Sequence, residues 1–312
     1  VGQMMSARLA YYLIVFPISK LPFWGIYLLS DILYGVFRLF PYRKKVIEGN
    51  IRRSFPEKSE EEIDRLVKQF YRHFTDILAE GIKNLSISKK ELQKRYRIKN
   101  PEVMDQLYKE NRSVLLVSGH YNNWEWLITS QNFLFEHQAM GIGMPLTSKF
   151  WDKKVNERRE RFGMIVVHSK NFREKIKEQT KPTAILTLSD QSPGDARKSY
   201  WMEFLNQQTA VLFGAEQMAH EYNFAVVFYH TRKIKRGYYE MELQLITDDP
   251  KTKKWGEITE AHTHLLEKAI LEQPAFWLWS HKRWKREIPE NLNELKKEQK
   301  KKFEEKILSD NN

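Results

Sequence analysis

The sequence has no cysteine. That excludes disulfide staples and thiol chemistry, and it is compatible with a cytoplasm-facing protein. It has no internal repeat and no low-complexity segment, so neither an array nor a long flexible linker is expected. Acidic residues are in deficit: 40 Asp and Glu stand against 52 Lys and Arg, for a formal net charge of +12. Such an excess calls for an anionic partner, whether nucleic acid, an anionic membrane surface or an acidic ligand. Ser118 precedes Gly119 but lacks the G-x-S-x-G elbow of a serine hydrolase. The histidines of "HTH" at 262–264 fall on different faces of a helix, a poor arrangement for zinc. The N-terminal apolar stretch has no small-residue cleavage site of the signal-peptide kind.

What is present is aromatic and basic together. Aromatic residues make up 13% of the 312 positions and include 9 Trp, a combination found at membrane interfaces. The stretch "LAYYLIVFPISKLPFWGIYLLSDILYGVFRLFPYRKK" is interrupted by Lys20 between Pro17 and Pro22. From Leu21 to Phe40 its only charges are Asp31 and Arg38. A membrane span needs roughly 20 mostly apolar residues, and this run just reaches that. Trp24, Tyr27 and Tyr34 suit an interface, and "YRKK" at 42–45 suits a cytoplasmic anchor. Residues 1–45 are therefore read as a membrane-anchoring helix region, spanning or monotopic. A buried helical hairpin is the alternative.

From Ser59 to about Leu85 an amphipathic helix is expected. Ser59 and Glu62 form a capping-box signature, and Ile63, Leu66, Val67, Phe70, Phe74, Ile77 and Leu78 recur at helical spacing. Glu80, near its end, reads as a solvated residue. After Pro101 apolar runs suggest strands at Val114–Ser118, Met164–His168, Ala184–Ser189 and Phe224–His230. Tyr239–Ile246 alternates like a more exposed strand. Helices are expected from Asn123, over Gln208–Tyr222 and over Glu257–Glu272. Strands alternating with helices predict an α/β fold, a mainly parallel sheet flanked by helices. Residues 46–290 form that domain, and residues 291–312 a Lys- and Glu-rich tail that is a solvated helix or a frayed end.

The run "SVLLVSGHYNNWEW" carries the chemistry. Ligands of open α/β sheets bind beyond the carboxyl ends of the strands, where the order strand, Gly119, His120, loop, helix places His120. A neutral imidazole there is a general base, and a carboxylate on its other nitrogen would fix the tautomer. Glu125 lies too far along the sequence to share a helix face with His120, but the loop-to-helix turn can fold it back. Asn122 or Asn123 can cap the helix. The plainer reading is a strand-end histidine beside a surface glutamate. His168 and His230 end apolar runs and are further candidates for lining a site.

"SGHYNNWEW" resembles the His-x4-Asp/Glu signature of glycerolipid-type acyltransferases, in the form found in the lipid A biosynthesis (lauroyl/myristoyl) acyltransferase family. The resemblance runs in order from about Leu9 to Lys285. It takes in "KKVIEGNIRRSFPEKSEEE", "RERFGMIVV", "LSDQSPGD", "EFLNQQTAVLFGAEQMA" and "WLWSHKRWK". One departure is Asn206, where the family more often has Gly. The resemblance implies a glycerolipid acyltransferase-like fold and an enzyme at the cytoplasmic face of a bacterial inner membrane. It would transfer a fatty acyl chain from acyl carrier protein, or coenzyme A, to a hydroxyl of a lipid A precursor, with no metal or organic cofactor and no nucleic-acid partner. His120 would deprotonate the hydroxyl and Glu125 would orient His120. Arg159 and Arg161 would bind acceptor phosphate, and Asn123, Asp190 and Gln191 would shape the substrate site. Two rivals stand beside this. One is an enzyme of the same fold acting on an ornithine-type aminolipid or a lysophospholipid. The other is a basic peripheral binding protein for membrane or nucleic acid, without catalysis. "HKRWKRE" at 281–287 mixes cations with Trp as nucleic-acid binders can, but Trp277, Trp279 and Trp284 are better read as packing or touching the membrane, with the cations left wet.

Overall fold

The apolar N-terminal stretch folds as helices that do not straighten into one span. In the computed structural model, residues 2–310 are described, with side chains from 5 to 306. α1 (Gly2–Ala10) runs into a π-helical turn at Tyr11–Val15 and then α2 (Phe16–Ser19). Pro22 starts a new helix, α3 (Phe23–Leu39), bent 119° from the first. Among the described residues no single helix is long and apolar enough to cross a membrane, although this bent pair together has the length and composition. α3 is two-sided. Gly25, Ile26 and Ser30 are buried, and Ser30 donates to Asp76 of the long helix that follows. The other side is open: Trp24 is 72% exposed and Leu39 76%, with Leu28, Ile32 and Val36 also exposed.

α4 (Lys44–Ser54) leads to α5 (Glu60–Lys83), which begins with the expected capping box between Ser59 and Glu62. After α6 (Lys89–Arg95) the sheet begins with β1 (Tyr96–Ile98), α7 (Glu102–Lys109) and β2 (Val114–Ser118), followed by α8 (Trp124–Leu134). β3 (Gln138–Gly143), α9 (Lys149–Glu160), β4 (Ile165–His168), α10 (Phe172–Lys177) and β5 (Thr183–Leu188) continue the alternation. The chain then makes β6 (Tyr200–Phe204), β7 (Gln207–Val211), α11 (Gly214–Tyr222), β8 (Ala225–Lys235) and β9 (Tyr238–Thr247). It closes with α12 (Glu257–Glu272) and α13 (Leu292–Asp310).

Seven strands form one sheet in the order β1-β9-β8-β2-β5-β3-β4, parallel throughout except for the β8–β9 hairpin. β2 is buried at all five positions, as a central parallel strand covered on both faces must be. Its side chains alternate between two cores. Leu115 and Val117 join the α4, α5 and α12 side, while Val114 and Leu116 join the α7 and α8 side. The register pairs Ser118 with Leu188, so β2 and β5 end at one level.

Tyr239–Ile246 alternates between buried and more exposed positions as expected, in the strand that lies between β1 and β8. One expectation is corrected: Gln208–Tyr222 is not one helix. Its first residues belong to β7, paired antiparallel with β6 as a separate ribbon, and the helix starts only at Gly214. β1, β3 and β6 were not anticipated. They are short or mixed in polarity, and their strand state comes from pairing partners distant in sequence. The β6–β7 connection is the two residues Leu205 and Asn206, with φ of 51° and 62°. Positive φ at both positions is the type I′ form of a two-residue hairpin, which favours Asn or Gly, so Asn can stand where Gly is commoner. Asn206 also donates to the Ser54 carbonyl at 3.0 Å.

Asn206→Gly should therefore be nearly neutral. Asn206→Val should cost about 1–2 kcal/mol from the left-handed conformation, read as a lower denaturation midpoint in detergent. A Val variant as stable as the parent would show that the turn is not under this constraint.

Candidate active site

The common level of β2 and β5 decides the site. Two residues beyond Ser118 comes His120, and two beyond Leu188 comes Asp190. The strand ends set them side by side. His120 Nδ1 lies 2.7 Å from Asp190 Oδ1, and the backbone N–H of His120 donates to Asp190 Oδ2 at 2.8 Å. Trp277 Nε1 donates to the same Oδ2 at 2.8 Å. Burial alone would raise the Asp190 carboxyl, but the His120 charge and these hydrogen bonds hold it at about 2. Gly119 makes the approach possible. A Cβ there would stand 2.7 Å from Asp190 Oδ2 and from Leu266 Cδ2. On the other side of the ring, Gln191 Nε2 is 3.3 Å from His120 Nε2, and Trp124 meets the imidazole edge-on at 5.0 Å. The loop itself is tied to the segment around Trp277: Asn122 N–H donates to the Phe276 carbonyl, and Leu278 N–H to the His120 carbonyl.

Glu125 does not hydrogen-bond His120, which corrects the expected pairing. With Asn123 as N-cap, Glu125 is the second residue of α8, and the helix carries it toward α9. There Arg158 Nη2 donates to Oε2 at 2.5 Å, while Arg159 donates through Nε at 3.2 Å and through Nη2 at 2.6 Å. Burial would raise this carboxyl as well. The two guanidiniums override that and bring it to about 2. Arg161 is corrected too. Both its Nη atoms donate to backbone carbonyls, those of Leu85 and Ile87, so it fastens the α5–α6 connection. Arg158, absent from the sequence reading, takes the place beside Arg159. Its position one residue before the Arg-x-Arg block was the available signal. Of the other candidates, His168 faces the Gly143 carbonyl and His230 lies against the Tyr121 ring.

Asn123 is placed by a residue that the sequence reading left to solvent. Glu80 is fully buried. Its Oε2 accepts from Asn123 Nδ2 at 2.6 Å and from the Tyr239 hydroxyl at 2.7 Å, and its Oε1 accepts from the Tyr27 hydroxyl at 2.9 Å. Its carbonyl accepts from Trp126 Nε1. One carboxylate thus joins α3, α5, β9 and the start of α8. Asn123 in turn accepts from Trp126 N–H, capping the helix. Burial raises the Glu80 carboxyl to about 7. The Tyr239 hydroxyl offsets part of this, and the Asp76 charge adds to it.

Beside Trp124 and Glu125 opens a cavity of about 320 Å³. Its walls are chiefly apolar: Tyr11 and Val15 from the N-terminal turn, Ile77 and Leu78 from α5, and Trp151 and Val155 from α9. Cavities of this size and lining take small apolar ligands.

The family described as bacterial lipid A biosynthesis acyltransferase matches residues 5–286. Among curated proteins, a lipid A biosynthesis acyltransferase of Haemophilus influenzae is 24% identical over 247 residues, covering 74% of this chain and 72% of the relative.

Glu80 gives a testable pH dependence. Its folded carboxyl titrates near 7 against an ordinary 4.5, so between those values the folded state keeps a proton that the unfolded chain has lost. Stability from this group is present below about pH 4.5 and falls as pH rises toward 7, by on the order of 3 kcal/mol. Buried histidines such as His137 and His262, both lowered by burial to about 4, act in the opposite sense. They are common to a variant and its parent, so the difference isolates Glu80. Denaturant titrations from pH 4.5 to 8 should show wild type losing stability relative to Glu80→Gln. Parallel curves would refute the assignment.

Proposed function

Since this chain belongs to the bacterial lipid A biosynthesis acyltransferase family and is an acyltransferase, we propose that it moves a fatty acyl chain from the thioester of acyl carrier protein to a hydroxyl of a lipid A precursor. The observation that carries the mechanism is the His120–Asp190 pair at the carboxyl edge of the sheet, with an apolar cavity next to it. Asp190 accepts from Nδ1–H, which places the lone pair on Nε2; there it accepts from Gln191 Nε2 at 3.3 Å, a contact that the acceptor hydroxyl replaces. Nε2 takes the proton of the acceptor hydroxyl while its oxygen attacks the thioester carbonyl carbon. The carbon–sulfur bond breaks, and the imidazolium returns the proton to the departing thiolate. Ester replaces thioester with no acyl-enzyme. The acyl chain lies in the cavity between α5, α9 and the N-terminal turn.

Glu125 acts through arginine. It fixes Arg158 and Arg159 in place, and their combined charge exceeds its own. Nη1 of Arg159 has no hydrogen-bond partner among the described residues. A guanidinium so held is well shaped for a phosphate of the acceptor. Asn123 and Gln191 position the loop and the imidazole.

The working surface is the cytoplasmic face of the inner membrane, which the protein meets as a monotopic enzyme. Support comes from the exposed apolar side of α3 together with Leu9, Tyr12, Leu13 and Ile14, a contiguous helical region rather than scattered residues. The Lys and Arg excess adds attraction to anionic lipid.

Turnover of lauroyl-acyl carrier protein with a lipid A precursor tests the chemistry. His120→Ala and Asp190→Asn should each lower kcat by about 100- to 10,000-fold. Glu125→Gln should mainly raise KM for the acceptor. A near-normal His120→Ala enzyme, or a silent Asp190→Asn beside a severe kcat loss in Glu125→Gln, would overturn these roles.

The membrane reading is tested by flotation with phosphatidylethanolamine–phosphatidylglycerol vesicles. Leu28→Glu with Ile32→Glu should release the protein, while high salt alone should not, because apolar burial is unscreened. Full release of wild type by salt would contradict it.

A further inference from the structure

Another cavity, of about 760 Å³, lies away from His120, between the β6–α11 region and α13. α13 begins at Leu292, so the helix that closes this cavity lies outside the residues 5–286 that match the family. Four aromatic rings stand in its wall: Tyr200, Phe213, Trp255 and Phe303. Tyr200 stacks on Phe213 and meets Trp255 at 4.8 Å, and Phe303 of α13 meets Phe213 edge-on at 5.7 Å. His220 also lines it, edge-on to Phe303 at 4.8 Å, and neither of its buried ring nitrogens has a hydrogen-bond partner. Burial lowers its pKa, so the ring is neutral and offers one donor and one acceptor.

The rim is cationic. Arg197, Lys198, Lys251 and Lys302 line the cavity and are exposed, and none of the four makes an ion pair with a described residue. The acids nearby are Glu221 and Glu298, and Glu221 is already engaged by Arg173 and Lys306. An aromatic wall, an unpartnered imidazole and unpaired cations ask for three things in one ligand. They ask for a flat face, a hydrogen-bonding edge and several negative charges. An acyl chain would meet the rings but leave the imidazole unsatisfied. A bare phosphate would meet the cations and leave the rings empty. The volume is within the range of small-ligand sites.

We propose that this cavity binds a phosphorylated planar heterocycle of nucleotide size, its ring among Tyr200, Phe213, Trp255 and Phe303 and its phosphates on Arg197, Lys198, Lys251 and Lys302. Edge contacts from the heterocycle satisfy His220. The site is separate from the acyl-transfer machinery, and because α13 supplies Phe303 and Lys302, ligand binding also fastens α13 to the body of the enzyme.

Calorimetric titration of the full chain in dodecyl maltoside with ATP is the test. Binding should be saturable and should weaken with salt. Inorganic tripolyphosphate, which lacks the ring, and adenosine, which lacks the charge, should each bind more weakly than ATP. The double variant Lys251→Glu, Lys302→Glu should bind ATP about tenfold more weakly, since attractive rim charges become repulsive. Both lysines are exposed, so the variant should keep the parent's fold and its acyl transfer. Absence of saturable ATP binding, equal binding of tripolyphosphate and ATP, or undiminished binding by the double variant would each overturn the proposal. So would saturable laurate binding in place of ATP. The readout is binding rather than turnover, so its failure leaves the acyl-transfer reading intact.

Discussion

A charged carboxylate at the centre of the molecule constrains most of what surrounds it. Asp190 is buried, and a buried charge is tolerated only when paired and hydrogen-bonded. It receives three donors: the His120 backbone, the His120 ring and the Trp277 indole. Each comes with a structural requirement. β2 and β5 must end in register, residue 119 must lack a side chain, and the segment after α12 must return across the His120 loop. The backbone bonds from Asn122 and Leu278 are that return.

Three carboxylates near the site, two buried and Glu125 mostly so, are tuned by different means. Asp190 is lowered by hydrogen bonds and an imidazole, and Glu125 by two guanidiniums. Glu80 has only neutral donors touching it and a second acid nearby, and it rises. Desolvation acts on all three in the same direction. The partners decide the sign of the outcome. Two of the carboxylates keep their charge beside cationic or hydrogen-bonding partners. The third, Glu80, joins α3, the helix with the exposed apolar side, to the cap of α8. That helix and the loop after His120 thus share one buried group.

Much of this was legible along the chain. The capping box at Ser59, the buried run at Val114–Ser118 and the cap at Asn123 are local signals, set by neighbours within a few residues. The place of His120 at a strand end was legible from the buried run and the glycine that follow one another there, while a role for it rested on the resemblance. β1, β3 and the β6–β7 ribbon were not, since short strands of mixed polarity take their state from partners far away. Glu80 looked solvated because one residue at a helix end does not reveal that Tyr27, Asn123 and Tyr239 converge on it.

The carboxylate that meets His120 marks the boundary between the two. The sequence by itself determined which residues were available: a histidine after β2, an acid in the first turn of α8, an Asp-Gln pair after β5. It did not determine which acid meets the imidazole. Proximity along the chain favoured Glu125, but a helix start turns that side chain toward α9 and its arginines. Asp190, 70 residues away in sequence from His120, reaches the imidazole because parallel pairing aligns Ser118 with Leu188. Strand register is a property of the assembled sheet, fixed by burial on both of its faces, and only the tertiary structure could decide it.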